Sequence, residues 1–170
     1  MKLNSFTTAD FEFKNYTDCS DNEQRIILRW RNDEAIRKWM TNDDPISEED
    51  HFNFIKRLKG DEERAYFAVF FQSHYVASIY MTDLEMESGE RGIYVVPVNQ
   101  GKGTTQNIEI AFLKYLKKNG IKRVRAKVRT NNQRSARYHE KMGYTEDRRD
   151  EEYIYYTLDT QMITNVKRRV

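Results

Sequence analysis

Cysteine is almost missing from this chain: Cys19 is the single one in 170 residues, so no intrachain disulfide can form. No metal site can rest on thiolates either. The three histidines, His51, His74 and His139, are scattered without ligand spacing, and no metal is expected. Proline (2) and glycine (7) are sparse, and no stretch is rich in Pro, Gly or Ser. That excludes an evident linker, and a single domain over residues 1–170 is expected. Charge of one sign is not in excess, since 29 Lys and Arg against 27 Asp and Glu leave +2. Nothing global therefore points to nucleic acid or to an anionic membrane as a partner. Long hydrophobic runs are also lacking. The first twenty residues have no signal-peptide core, and the run at 66–71 is far too short to span a bilayer. A soluble protein of a reducing cytoplasm is expected, with Cys19 buried and inert.

What the chain does have is aromatic residues, at 13%, enough to exclude disorder and to furnish a core rich in Tyr and Phe. Alternation at 11–16 predicts a first strand. A helix follows from Asp21, with Ile26, Ile27 and Trp30 on one face, and restarts at Asn32-Asp33 with Ile36, Trp39 and Met40 extending the stripe. Ser47 opens a further helix in a pattern like a capping box, Phe52, Ile55 and Leu58 carry it, and Gly60 stops it. Strands are predicted at 65–71, 75–81 and 91–96, the last two separated by a hairpin loop at 87–90. The clearest helix has Ile108, Ala111, Phe112, Tyr115 and Leu116 on one face and ends at Asn119-Gly120. A strand at 122–129 puts Val124, Ala126 and Val128 on one side. Its other side carries Arg123, Arg125, Lys127 and Arg129, a solvated or carboxylate-paired face that could also steer an anion. A short helix at 131–142, a strand at 152–158 and a frayed tail at 166–170 complete the order. Consecutive strands early and alternation late make an α/β (α+β) fold with a mixed sheet.

Chemistry concentrates in two segments. In the first, a strand runs through Tyr94, Val95 and Val96 into Gln100-Gly101-Lys102-Gly103-Thr104-Thr105, which opens the clear helix. Such a junction aims backbone N–H groups and the positive helix end at a phosphate or pyrophosphate, and its two glycines allow close approach. A tight strand-to-helix turn is the plainer alternative. Neither the P-loop nor the dinucleotide-binding pattern is present. In the second, a strand end leads into a helix with Asn132, Ser135, Tyr138, Lys141, Gly143 and Tyr144 at N-x-x-S-x-x-Y-x-x-K-x-G-Y spacing.

Together the two segments resemble the GNAT superfamily of N-acetyltransferases, whose acyl-CoA signature is Q/R-x-x-G-x-G/A. Thr105 stands where the pattern has Gly or Ala. A narrower resemblance covers Leu28-Arg29-Trp30-Arg31-Asn32, Lys38-Trp39-Met40, Ile46-Ser47, His51 to Ile55, and Tyr66-Phe67. These are similar to the N-acetyltransferases of the pseudaminic acid pathway, which acetylate the 4-amino group of a UDP-linked amino-dideoxy sugar.

The resemblance implies a mostly antiparallel central sheet of about seven strands, splayed at the cofactor cleft and flanked by about four helices. It implies acetyl-CoA as cosubstrate and a small-molecule amine, a nucleotide sugar, as acceptor; a homodimer is compatible with it. It places Val95, Gln100, Gly101, Lys102, Gly103, Thr104, Thr105, Asn132, Ser135 and Lys141 on the cofactor. It places Arg31, Met40, His51, Thr82 and Tyr94 near the acceptor. Transfer would be direct, with a backbone N–H at Val95 stabilising the oxyanion and Tyr138 protonating the departing thiolate. His51 is the candidate base, with water relayed to Asp83 or Glu85 as the alternative. On the residues alone, Tyr138 also reads as a packing residue and His51 as a hydrogen-bonded helix residue. Arg31 could bridge to Asp33 or Glu34, and Trp30, Trp39 and Met40 could simply be core. Two other functions remain open: acetylation of a polyamine or protein N-terminus, and a non-catalytic acyl-CoA-binding module.

Overall fold

The computed structural model describes residues 2–101 and 103–165; Lys102 and the tail 166–170 lie outside the described residues. In chain order the elements are β1 (Phe6–Thr7), β2 (Glu12–Asn15), α1 (Asp21–Arg31), α2 (Glu34–Arg37), α3 (Glu48–Leu58), β3 (Ala65–Phe71), β4 (His74–Thr82) and β5 (Ser88–Val95). Then come α4 (Thr104–Lys118), β6 (Arg123–Arg129), α5 (Gln133–Lys141), β7 (Thr145–Arg149) and β8 (Tyr153–Asp159). The strands form one eight-stranded sheet in the order β1-β2-β3-β4-β5-β6-β8-β7. Every neighbouring pair is antiparallel except β5–β6.

Helix starts follow local chemistry. Ser20 and Glu23 make a reciprocal capping box at α1, and Asp33, Ser47 and Asn132 cap α2, α3 and α5. Among the described α-helices α4 alone starts without a side-chain cap, on Gly103 at φ 75°.

Each sheet face is covered by different helices. On one face α4 and α5 close a core that includes Phe13, Phe67, Phe112, Leu116, Val124 and Tyr156. On the other, α1, α2 and α3 cover the β3–β5 half with Ile27, Ile36, Ile55, Leu58, Tyr75 and Tyr94. Burying each such side chain contributes about 1.5–3 kcal/mol.

Several expectations need correction. The loop expected at 87–90 lies earlier, because Ser88–Val95 is strand: β4 pairs Thr82 with Glu90, and β6 pairs Arg123 with Ser88. α2 stops at Arg37, so Trp39 leaves the stripe and is 44% exposed, outside the core. Three guanidinium groups hold carbonyls of the segment that follows α2. Arg129 Nη2 donates to Met40 O, Arg31 Nη2 to Asn42 O and Arg37 Nη1 to Asp43 O. Arg31 therefore anchors this loop and does not bridge to Asp33, whose carboxylate caps α2. The fold class itself stands, a mixed and mostly antiparallel sheet flanked by helices; with β1 and β7 it has eight strands and five α-helices among the described residues.

Candidate active site

β5 carries the site. β5 and β6 pair only at Ser88↔Arg123, Gly89↔Val124 and Glu90↔Arg125. Beyond Glu90 the two strands part, leaving a wedge that opens toward Val95 and Arg129. Val96 N donates to Val76 O, which fixes the alternation of the antiparallel β4–β5 ladder. Even-numbered residues of β5 direct their backbone groups to β4, and odd ones direct them into the wedge. Val95 belongs to the second set. Its carbonyl accepts from Gln100 Nε2 at 2.9 Å, and its N–H faces the wedge, as an oxyanion donor must.

The turn after β5 suits a pyrophosphate. Gly101 (φ 87°) and Gly103 (φ 75°) adopt backbone conformations that L side chains rarely take, and a Cβ at either would meet nothing within 4 Å. The uncapped first turn of α4, with Thr104 and Thr105 half-buried, leaves N–H groups free for an anion. Asn132 Oδ1 accepts from Ser135 N, capping α5. Lys141 ends α5, nine residues and about 13 Å from Asn132 at helical rise. It lines a cavity of about 1180 Å³ shared with Gln106, Lys122 and Met142.

On the α4–α5 side of β5 lies a buried charged cluster that the sequence reading missed. Arg91 Nη2 meets Glu109 Oε1 at 2.7 Å, with side chains 3% and 0% exposed. Tyr144 donates to Glu109 Oε1 at 2.7 Å and Tyr138 to Oε2 at 2.5 Å. Arg91 Nη2 also donates to His139 Nε2 at 2.8 Å, so His139 is the neutral tautomer whose Nδ1–H donates to Ser135 O at 2.7 Å. Burial, then the Arg91 charge, pushes His139 down to about 4. Burial opposes ionisation of Glu109, but Arg91, His139 and the two phenols outweigh it and hold the carboxyl below its ordinary range. Burial and the Glu109 charge push Tyr138 well above the ordinary phenol range. Sequence did carry a signal for this cluster. Glu109 sits on the same helical stripe as Phe112, Leu113 and Leu116, and Arg91 alternates with Ile93 and Val95 on the buried face of β5.

On the other side of β5 the acceptor-side residues gather only in part. Tyr94 and Met40 belong to the same packed group, and Tyr80 lies flat over Gly92, stacked on Tyr66 at 4.7 Å. Arg31 Nη1 and Arg129 Nε are buried without partners around the Met40 loop. Thr82 pairs with Glu90 at the closed end, four residues and about 13 Å along β4 from Ser78, the partner of Tyr94. Asp83 and Glu85 follow Thr82 at that closed end, and Glu85 accepts from Ser88 Oγ. His51 is not at the surface of α3: it is 4% exposed, edge-on to Tyr16, and its Nε2 has no partner. Burial lowers its pKa more than the Gln24 backbone and Glu48 raise it. Cys19 is buried too, its thiol pushed up to about 12 mainly by burial, which leaves it unreactive.

Residues 19–145 match the family model described as an acetyltransferase (GNAT) domain. The chain belongs to the GNAT acetyltransferase family. It is an N-acetyltransferase that uses acetyl-CoA. Among similar GNAT proteins, acetyltransferase PseH of Campylobacter jejuni is 27% identical over 148 residues, which cover 86% of this chain and 92% of that protein. The crystal structure of C. jejuni N-acetyltransferase PseH in complex with acetyl coenzyme A covers 88% of this chain and 98% of its own, with TM-score 0.69 and 24% identity. Spermidine N-acetyltransferase from Vibrio cholerae, in complex with CoA and spermine, reaches TM-score 0.81 at 16% identity over 93% of this chain and 100% of its own. No helix among the described residues is long and apolar enough to cross a membrane.

Proposed function

We propose that this GNAT enzyme transfers the acetyl group of acetyl-CoA to the 4-amino group of a UDP-linked amino-dideoxy sugar, as in the pseudaminic acid pathway. One observation carries the choice of acceptor. Arg31 Nη1 and Arg129 Nε are buried N–H donors with no partner, on two sides of the Met40 loop at the open end of the wedge. A diphosphate would satisfy such donors, whereas a polyamine would set its cations against them. The stacked Tyr66 and Tyr80 over Gly92 give a flat apolar wall for a sugar face.

The amine nitrogen attacks the thioester carbonyl, and the oxyanion that develops accepts the N–H of Val95. The tetrahedral intermediate collapses, breaking the C–S bond; the thiolate takes the hydroxyl proton of Tyr138, and the proton shed by the attacking nitrogen as the neutral amide forms restores the phenol. Burial and Glu109 keep that phenol protonated at every physiological pH, so a proton is always available. They also tie it to Glu109, so donation requires the hydroxyl to turn from Oε2 toward sulfur. Gly101, Gly103 and the first turn of α4 hold the pyrophosphate.

Thiol release from acetyl-CoA, measured against a UDP-4-amino sugar, spermidine and peptides with free N-termini, tests this reading. Turnover on the UDP-amino sugar alone is expected. Turnover on spermidine alone would reverse the acceptor assignment. No turnover with measurable acetyl-CoA binding would leave a binding module.

A further inference from the structure

The α1–α3 layer covers only half of its side of the sheet. The strand residues buried beneath it come from β3, β4 and β5, and none comes from β6, β7 or β8. The other half of that side is open. β6 turns Val124, Ala126 and Val128 into the α4–α5 core and keeps Arg123, Arg125, Lys127 and Arg129 on the open side. β8 buries Ile154, Tyr156 and Leu158 and leaves Tyr153, Tyr155 and Thr157 half-exposed. The register sets cations beside rings, with Arg129 opposite Tyr153 and Lys127 opposite Tyr155. The two rings differ. Tyr155 is engaged, with Arg148 3.5 Å over its face and its hydroxyl donating to Asp150. Tyr153 has looser neighbours, Lys127 Nζ at 5.6 Å and the Arg129 guanidinium at 5.9 Å from its centroid.

We propose that this open face seats the nucleotide half of the acceptor, with the diphosphate at Arg129 and Lys127 and the uracil ring on Tyr153. The proposal rests on the UDP-amino-sugar reading above and extends it from the sugar to the base. Arg129 joins the two regions. Its Nη2 holds Met40 O, its Nε is buried without a partner, and its guanidinium reaches Tyr153. With the sugar on the Tyr66–Tyr80 wall over Gly92, the nucleotide can leave β5 in two directions. Toward α1 and α3 the space is filled, since Tyr16, His51, Tyr75 and Tyr94 are all buried. Toward β8 it is open. Two strand spacings, about 10 Å, separate β5 from β8, a gap that a diphosphate and a ribose bridge. Charge agrees with an anion there: β6 presents four cations, and Glu90 beside them is paired with Lys127 at 3.4 Å. A tyrosine face beside cations is the combination that holds a base and its phosphates.

Calorimetry with UDP and kinetics with the UDP-4-amino sugar test this placement. Tyr153→Leu and Lys127→Gln should each weaken UDP binding about tenfold and raise the KM for the UDP-amino sugar to match. The loss should fall on KM rather than kcat and spare the affinity for acetyl-CoA. Lys127 is 33% exposed, so Lys127→Gln stands in if Tyr153→Leu fails to fold. UDP affinity and KM that neither variant moves overturn the placement while leaving the acceptor intact. The face then belongs to a second copy if wild type sediments as a dimer and Tyr153→Leu as a monomer. It belongs to nucleic acid if a single-stranded oligonucleotide binds wild type with steep salt dependence and the variants lose it. An equal loss of acetyl-CoA affinity would mark a general distortion and overturn the placement too. A wild-type enzyme that neither binds UDP nor acetylates the UDP-amino sugar overturns the acceptor reading, and the placement falls with it.

Discussion

The two faces of β5 hold two buried polar networks of opposite character. On the α4–α5 face, Arg91, Glu109, Tyr138, His139 and Tyr144 form a charged knot. On the α1–α3 face, Tyr94, Tyr75, Ser78 and Tyr16 form a neutral chain of hydroxyls. A buried ion pair is stable only while every partner is present, because each removed partner leaves a desolvated charge behind. A hydroxyl chain loses only the one or two neutral hydrogen bonds of the missing link. Glu109 holds the Tyr138 hydroxyl in one place, whereas the hydroxyls of the other chain can exchange donor and acceptor roles by rotation.

The comparison can be broken most forcefully at Glu109. Glu109→Ala strands the Arg91 guanidinium in the core and is expected to lower stability by about 3–5 kcal/mol in urea unfolding. Replacing both partners, as in Arg91→Met with Glu109→Leu, should recover most of that loss. Tyr138→Phe should lower kcat by about 10²- to 10⁴-fold while calorimetry finds acetyl-CoA affinity unchanged; an equal loss of affinity would make Tyr138 a packing residue.

Acid sensitivity should also separate the two sides. The folded chain holds His139 at about 4 against an ordinary 6.5, so between those values the unfolded chain binds a proton that the folded one does not. Stability then falls as pH drops from 6.5 to about 4, and the depressed Glu109 carboxyl adds loss as pH falls below its ordinary 4.5. Urea midpoints against pH should become shallower in His139→Gln, with the buried His51 keeping part of the slope, and keep the wild-type slope in Tyr75→Phe. The smallest effect is Tyr75→Phe on stability itself, about 2 kcal/mol for two buried neutral hydrogen bonds. A loss as large as that of Glu109→Ala would erase the distinction between the networks.

Much of the fold was readable because its causes are local. Ser20, Ser47 and Asn132 cap helices by bonding to backbone a few residues away, and Val124, Ala126 and Val128 mark a strand by alternation alone. β7 was not readable: all five of its residues, TEDRR, are exposed, and pairing with β8 makes it a strand. Its charges suit an edge that must not recruit another strand. Ser88 to Glu90 likewise lack a strand pattern and are strand because β4 and β6 flank them. At the site, the glycine turn and the place of Val95 were legible. The tie between Tyr138 and Glu109, 29 residues apart, was not, although a carboxylate on the apolar stripe of α4 was a visible warning. Nothing in the run of Tyr and Ser residues marked Tyr16, Tyr75, Ser78 and Tyr94 as one chain, since such residues are ordinary in strands.

By itself the sequence determined the family, the helix starts and the glycine turn that opens α4, because each depends on neighbours along the chain. Tertiary structure alone decided which buried polar groups meet. Arg91 finds Glu109, and Tyr16 finds Ser78 across 62 residues, only once sheet and helices have closed. A desolvated donor or acceptor must take the partner that packing brings to it.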